Sequence, residues 1–119
     1  MKLDDVRIET ELEKVADVQL IKVTGEIDVY TAPEFKSAVN KAIDAGSLNL
    51  VIDLTNVSYM DSSGFGILLG ATKKVRPKGG TINLLGCSEA ITRMLKITRL
   101  DTIFGMHGSM EDALAATKG

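Results

Sequence analysis

The sequence predicts an α/β fold, a mixed β-sheet flanked by helices. Three observations carry this expectation. Near the N-terminus, Val6, Ile8, Thr10 and Leu12 alternate with charged residues, the period of a half-buried strand. Mid-chain, "LNLVIDL" (Leu48 to Leu54) is nearly continuous in apolar residues and too short for a typical helix, as expected of a central strand covered on both faces. From there on, short apolar runs alternate with segments of helical period, the order that builds a parallel sheet.

Each element has its own signals. "EKVADVQ" reads as a turn and "VQLIKVTG" as a second strand ending at Gly25, so the chain is expected to open with a hairpin. After "EIDVY", Thr31 and Glu34 have the spacing of a capping box, and Pro33 suits a first helical turn. Phe35, Ala38, Val39, Ala42 and Ile43 form one apolar stripe at helical spacing, and Gly46 ends it. "TNVSYMDS" is expected as the loop after the central strand. A second helix starts near Ser62 or Ser63, with Phe65, Leu68, Leu69, Thr72 and Val75 inward. Lys73, Lys74 and Arg76 close it, where cations complement the helix dipole. "TINLLG" is a further strand. Ser88 caps a third helix with Ile91, Met94 and Leu95 inward. "TIFGM" is a short last strand, and Ser109 and Asp112 open a final helix carrying Ala113 and Leu114.

Composition narrows the function. The chain has 119 residues, enough for one modest core. One domain over residues 1–119, with a core of about 5–117, is expected. Formal net charge is -2, which offers no basic surface for nucleic acid or an anionic membrane. With no Trp and 4% aromatic residues, a base-stacking or sugar-stacking site is not expected. Cys87 is the single cysteine and His107 the single histidine. No internal disulfide, cysteine cage or histidine-pair metal site can form, and Cys87 reads as a small apolar core residue. No apolar run approaches the length of a membrane span, and "MKLDDVRIETELEK" is unlike a signal peptide. A cytoplasmic protein is expected, without cofactor or metal and without enzymatic activity.

"YMDSSGFGILLG", Tyr59 to Gly70, is the informative stretch. Two readings of its serines stand side by side. One is capping, since a serine hydroxyl satisfies a free N–H in the first helical turn. The other is phosphorylation. A loop at the carboxyl end of a parallel strand that leads into a helix N-terminus tolerates an anion. Phosphate on Ser62 would add about 1.5 to 2 negative charges there. Asp61 and Asp28 would already make that surface acidic. A nucleophilic serine fits poorly, because Met60 and Asp61 stand where a nucleophile elbow wants glycine. A phosphate-cradling loop fails too, since the first lysine, Lys73, comes far down the helix.

"VTGEIDVYTAPEFK", "LVIDLTNVSYMDSSGFGILLG" and "GGTINLLGCSEAITRMLKITRLDTIF" resemble, in order, the STAS domains of bacterial anti-sigma factor antagonists. "MDSSGFG" after "VIDLTNVSY" is the most specific part, and "TGEID" adds independent weight. Phe65 stands where a leucine is more usual. The resemblance implies a STAS-type mixed sheet flanked by helices. It implies that the unphosphorylated protein binds an anti-sigma factor that is also a serine kinase, and so frees a sigma factor. Phosphorylation of the first serine after the motif aspartate, Ser62, would end that binding, and a separate serine phosphatase would reset it. Asp28, Asp61, Ser62, Ser63 and Gly64 are then the expected partner-binding residues, with Ser63 as helix cap.

Two rival readings are a STAS-type signalling or scaffold module outside any sigma pathway, and a two-component receiver. The receiver would use Asp53 and the Asp4–Asp5 pair, but two strands precede the first helix here. Asp28, Asp53 and Asp61 could in principle hold magnesium. Gly66 and Gly70, one turn apart, could leave room for a small ligand, though close packing is the expected use of small residues.

Overall fold

The computed structural model describes residues 8–118 apart from positions 16 and 47. Its sheet has five strands in the order β1-β2-β3-β4-β5. β1 (Ile8–Val15) and β2 (Val18–Ile27) form an antiparallel hairpin whose closing pair is Val15 with Val18. The turn is therefore two residues long, much tighter than the segment "EKVADVQ" suggests. Val6, Asp4 and Asp5 lie outside the described residues.

β3 (Asn49–Met60), β4 (Thr81–Leu85) and β5 (Gly105–His107) add to β2 in parallel. Between them run α1 (Ala32–Asp44), α2 (Ser62–Val75) and α3 (Glu89–Ile97), and α4 (Met110–Lys118) ends the chain. Short 3-10 turns at Arg76–Lys78 and Leu100–Thr102 link α2 to β4 and α3 to β5. The expected order of elements and the mixed sheet are both present.

The two faces of the sheet are unequal. Ile21, Val23, Leu50, Ile52, Leu54 and Leu84 pack with α1, α2 and α3 in the main core. Val18, Leu20, Val51 and Leu85 point the other way and meet Ala113 of α4. Alternation along each strand sorts residues between these layers. α4 is short, so the second face is covered only in part: Asp53 is half-buried and Thr24 and Thr55 are exposed there. The expected burial of both faces thus holds for the first half of β3 alone.

Several expected inward residues are not inward. Leu12 is 39% exposed and Met94 44% exposed. β1 is an edge strand with little packed over its far end, and Met94 lies off the stripe made by Ile91 and Leu95.

β3 holds the main departure. "TNVSYM" is strand, not loop: β3 runs on to Met60, and Asp61 alone separates it from α2. β2 likewise continues past Gly25 to Ile27. Two register shifts in the β2–β3 pairing, one flanking Gly25, make this possible. Gly25 has φ 119, a backbone state that favours glycine, as bulges often require. The two extended strands carry their ends well beyond β4, whose last residue Leu85 pairs with Asp53.

Candidate phosphoacceptor site

The site forms where β2 and β3 end together. Ile27 pairs with Met60, and the N–H of Asp61 donates to the Ile27 carbonyl at 3.0 Å. Asp28 and Asp61 therefore follow neighbouring strand ends, and each introduces a helix. Sequence separation hides this; the parallel register creates it.

Asp61 is the N-cap of α2. Its Oδ1 accepts the N–H of Ser63 at 2.8 Å, and its carbonyl accepts from Gly64 at 3.0 Å. The expectation that Ser63 caps the helix is corrected: the helix begins one residue earlier, at Ser62, so the capping position falls on Asp61. An aspartate is as good a cap as a serine. Ser62 is then the first helical residue. It is exposed, and its hydroxyl makes no hydrogen bond among the described residues. Ser63 is half-buried.

Gly64 turns inward. A β-carbon there would stand 2.5 Å from Met60 Cγ and 2.8 Å from Ile27 Cγ2. Glycine at 64 lets the first turn of α2 settle directly on the ends of β2 and β3. Its part in the site is to seat Ser62 rather than to touch a partner with a side chain.

Asp28 organises the start of α1. Its Oδ1 accepts the N–H groups of Tyr30 at 2.9 Å and Thr31 at 3.0 Å. The Thr31 hydroxyl accepts the Asp28 N–H at 2.9 Å and donates to the Glu26 carbonyl at 2.7 Å. The capping box expected from Thr31 and Glu34 does not form, because Thr31 has helical backbone angles and its hydroxyl points back into the turn. The β2–α1 turn is stitched by side chain–backbone bonds instead.

Val29, Tyr30 and Tyr59 were not singled out by sequence, yet they are 63%, 79% and 50% exposed. Tyr59 pairs in register with Glu26 on β2, next to the Asp28 turn. Large apolar side chains displayed to solvent are the usual material of a protein interface, and Tyr30 borders a groove with Ile8, Pro33 and Ser37 along α1. Strict period two would have put Tyr59 on the face of the buried Val57; the register shift between Gly25 and Glu26 breaks that alternation, and the sequence alone does not signal it.

The rival constellations do not assemble. Asp53 lies eight residues before Asp61 on an extended strand, about 26 Å at ordinary strand rise. Its carboxylate bonds the N–H and hydroxyl of Thr55 at 3.0 and 2.6 Å. Among the described residues no group of three acidic, histidine or cysteine side chains is placed to hold a metal. His107 sits level with Leu85 and bonds Asn83 through Nε2 at 2.9 Å, far from Ser62. Cys87 packs half-buried against the main core. Burial pushes its thiol up to about 11, with a smaller opposing effect from a backbone hydrogen bond.

Gly66 and Gly70 are not closely packed. They border a groove between α1 and α2 of about 360 Å³. Among the described residues no helix is long and apolar enough to cross a membrane.

Comparison with known proteins agrees with this architecture. The STAS domain model matches residues 9–113. An anti-sigma-B factor antagonist of Listeria monocytogenes is 45% identical over 83 residues, covering 70% of this chain and 73% of that protein. One from Staphylococcus aureus is 35% identical over 91 residues, covering 76% of this chain and 84% of its own. The crystal structure of an anti-sigma factor antagonist from Mycobacterium paratuberculosis superposes with a TM-score of 0.88 at 30% identity, over 100% of both chains. The mixed sheet with its flanking helices and the sequence likeness agree, and the chain belongs to the STAS-domain family of anti-sigma factor antagonists.

Proposed function

We propose that this protein binds an anti-sigma factor through the surface around Ser62, and that phosphorylation of Ser62 by that partner, acting as a serine kinase, switches the binding off. A serine phosphatase restores the binding form. The observation that carries this is the exposure of Ser62 as the first residue of a helix whose cap is supplied by its neighbour. The hydroxyl has no structural duty to surrender, so phosphate can be added without dismantling the fold. The helix N-terminus tolerates the added charge. Asp28, Asp61 and Ser63 shape the docking face, Val29, Tyr30 and Tyr59 widen it, and Gly64 supports it from beneath. The names of the relatives support the anti-sigma factor as partner.

The energetics ask little. Phosphate in a packed interface brings repulsion and desolvation. A loss of about 2–3 kcal/mol weakens affinity about 30- to 150-fold.

The test is incubation with the host's candidate anti-sigma kinases and ATP, with the phosphate located by mass spectrometry. Label on Ser62 is expected. Ser62→Ala should bind the partner persistently and Ser62→Asp poorly, with both melting close to wild type. Equal affinities, or label on another residue, would discard the switch.

A further inference from the structure

Gly66 and Gly70 occupy the interior of α2, where glycine weakens a helix relative to alanine. Nothing inside the fold accounts for them. A β-carbon at either position would meet no atom within 4 Å. Neither has the positive φ that reserves a position for glycine. Both face the groove between α1 and α2. Its floor is apolar, with Val39, Ile67 and Ala71, and Lys36 and Lys74 stand along it with no carboxylate among the lining residues. Asn40 Oδ1 accepts from Lys74 Nζ at 2.8 Å and so orients that ammonium. Ser63 also lines the groove, which therefore opens beside Ser62.

We propose that this groove docks an acidic amphipathic helix of the anti-sigma factor, with that helix's backbone seated against Gly66 and Gly70. The inference rests on the function proposed above and specifies the partner's chemistry. Bare glycine permits the backbone-to-backbone approach that a β-carbon would block. An apolar floor takes the apolar face of such a helix, in the manner of helix-in-groove recognition. Lys36 and Lys74 match carboxylates on its flanks, where opposite charges set register and suppress wrong partners. The same polarity fits the sign of the switch. A phosphate dianion at the groove's mouth repels an acidic occupant, whereas it would strengthen the hold on a basic one.

Four variants of the full chain test this by calorimetric titration with the purified anti-sigma factor of the same organism, alongside thermal melts. Gly66→Ala with Gly70→Ala should melt higher than wild type yet bind at least tenfold more weakly. Lys36→Glu with Lys74→Glu should melt as wild type, bind at least tenfold more weakly, and lose less affinity as salt is raised. Ser62→Asp reports on the switch and Ser62→Ala is the binding control. Groove variants that bind within twofold of wild type while Ser62→Asp fails would overturn the groove and leave the switch standing. Groove variants that fail while Ser62→Asp binds normally would overturn the switch and leave the groove standing. A glycine variant that melts lower would overturn the claim that the groove is open. Lysine variants that bind more tightly would overturn the acidic occupant. Wild type that binds no anti-sigma factor would overturn both readings.

Discussion

The carboxylate of Asp61 accepts the backbone N–H of Ser63 at 2.8 Å, so the residue before Ser62, and not the one after it, holds the start of α2. This leaves Ser62 with no bond to break. Asp61→Ala should lower stability by about 1 kcal/mol, the usual worth of a cap. Asp61→Asn should recover most of it, and Ser63→Ala should stay within about 0.5 kcal/mol of wild type. Urea melts of the three variants check the order. A larger loss in Ser63→Ala than in Asp61→Ala would return the cap to Ser63.

Gly64 is expected to be intolerant. Gly64→Ala places a methyl group against Met60 and Ile27, both buried at the ends of β3 and β2. Overpacking of this kind costs about 1–3 kcal/mol. A melting temperature equal to wild type would show that Met60 moves aside freely.

Thr31 is 4% exposed, and its hydroxyl joins the Glu26 carbonyl to the Asp28 N–H. Thr31→Val keeps the shape and strands both groups. A loss of about 1–3 kcal/mol is expected, while Glu34→Ala should be close to neutral because no capping box exists. Denaturant midpoints for the two variants decide between them.

Cys87 should make stability fall at high pH. Its thiol is pushed from an ordinary 9.0 up to about 11. Between those values the unfolded chain gives up the proton and the folded chain keeps it. Ionisation thus favours unfolding, so the contribution of the neutral thiol is fully present below pH 9 and is lost by about pH 11. Cys87→Ala should flatten that decline. Identical pH profiles for the variant and wild type would remove the assignment. Alkylation of folded protein should also be slow at pH 8, since the thiolate is the nucleophile.

The legible parts of the fold were those set by local chemistry. Strand and helix order followed from apolar period, Ser88 was recognisable as a cap, and its hydroxyl does accept the Ile91 N–H at 3.2 Å. Gly46 ends α1 with φ 95, as its position after an apolar stripe suggests. The misread parts were those where a distant partner chose between local options. Polar residues in "TNVSYM" look like loop until β2 is seen to run beside them and supply hydrogen bonds. Thr31 could have capped α1, but the Glu26 carbonyl captured its hydroxyl.

By itself, the sequence determined the α/β class and the order of elements and singled out Ser62 as a candidate, because side-chain period and residue chemistry are properties of the chain alone. Tertiary structure decided what surrounds that serine. The pairing of Ile27 with Met60 brings Asp28 to Asp61, and the packing of α1 beside α2 leaves a lysine-edged groove open at Gly66 and Gly70. Neither is encoded in any one segment. Both arise where two segments meet, and the free energy that fixes them is shared between residues far apart in the chain.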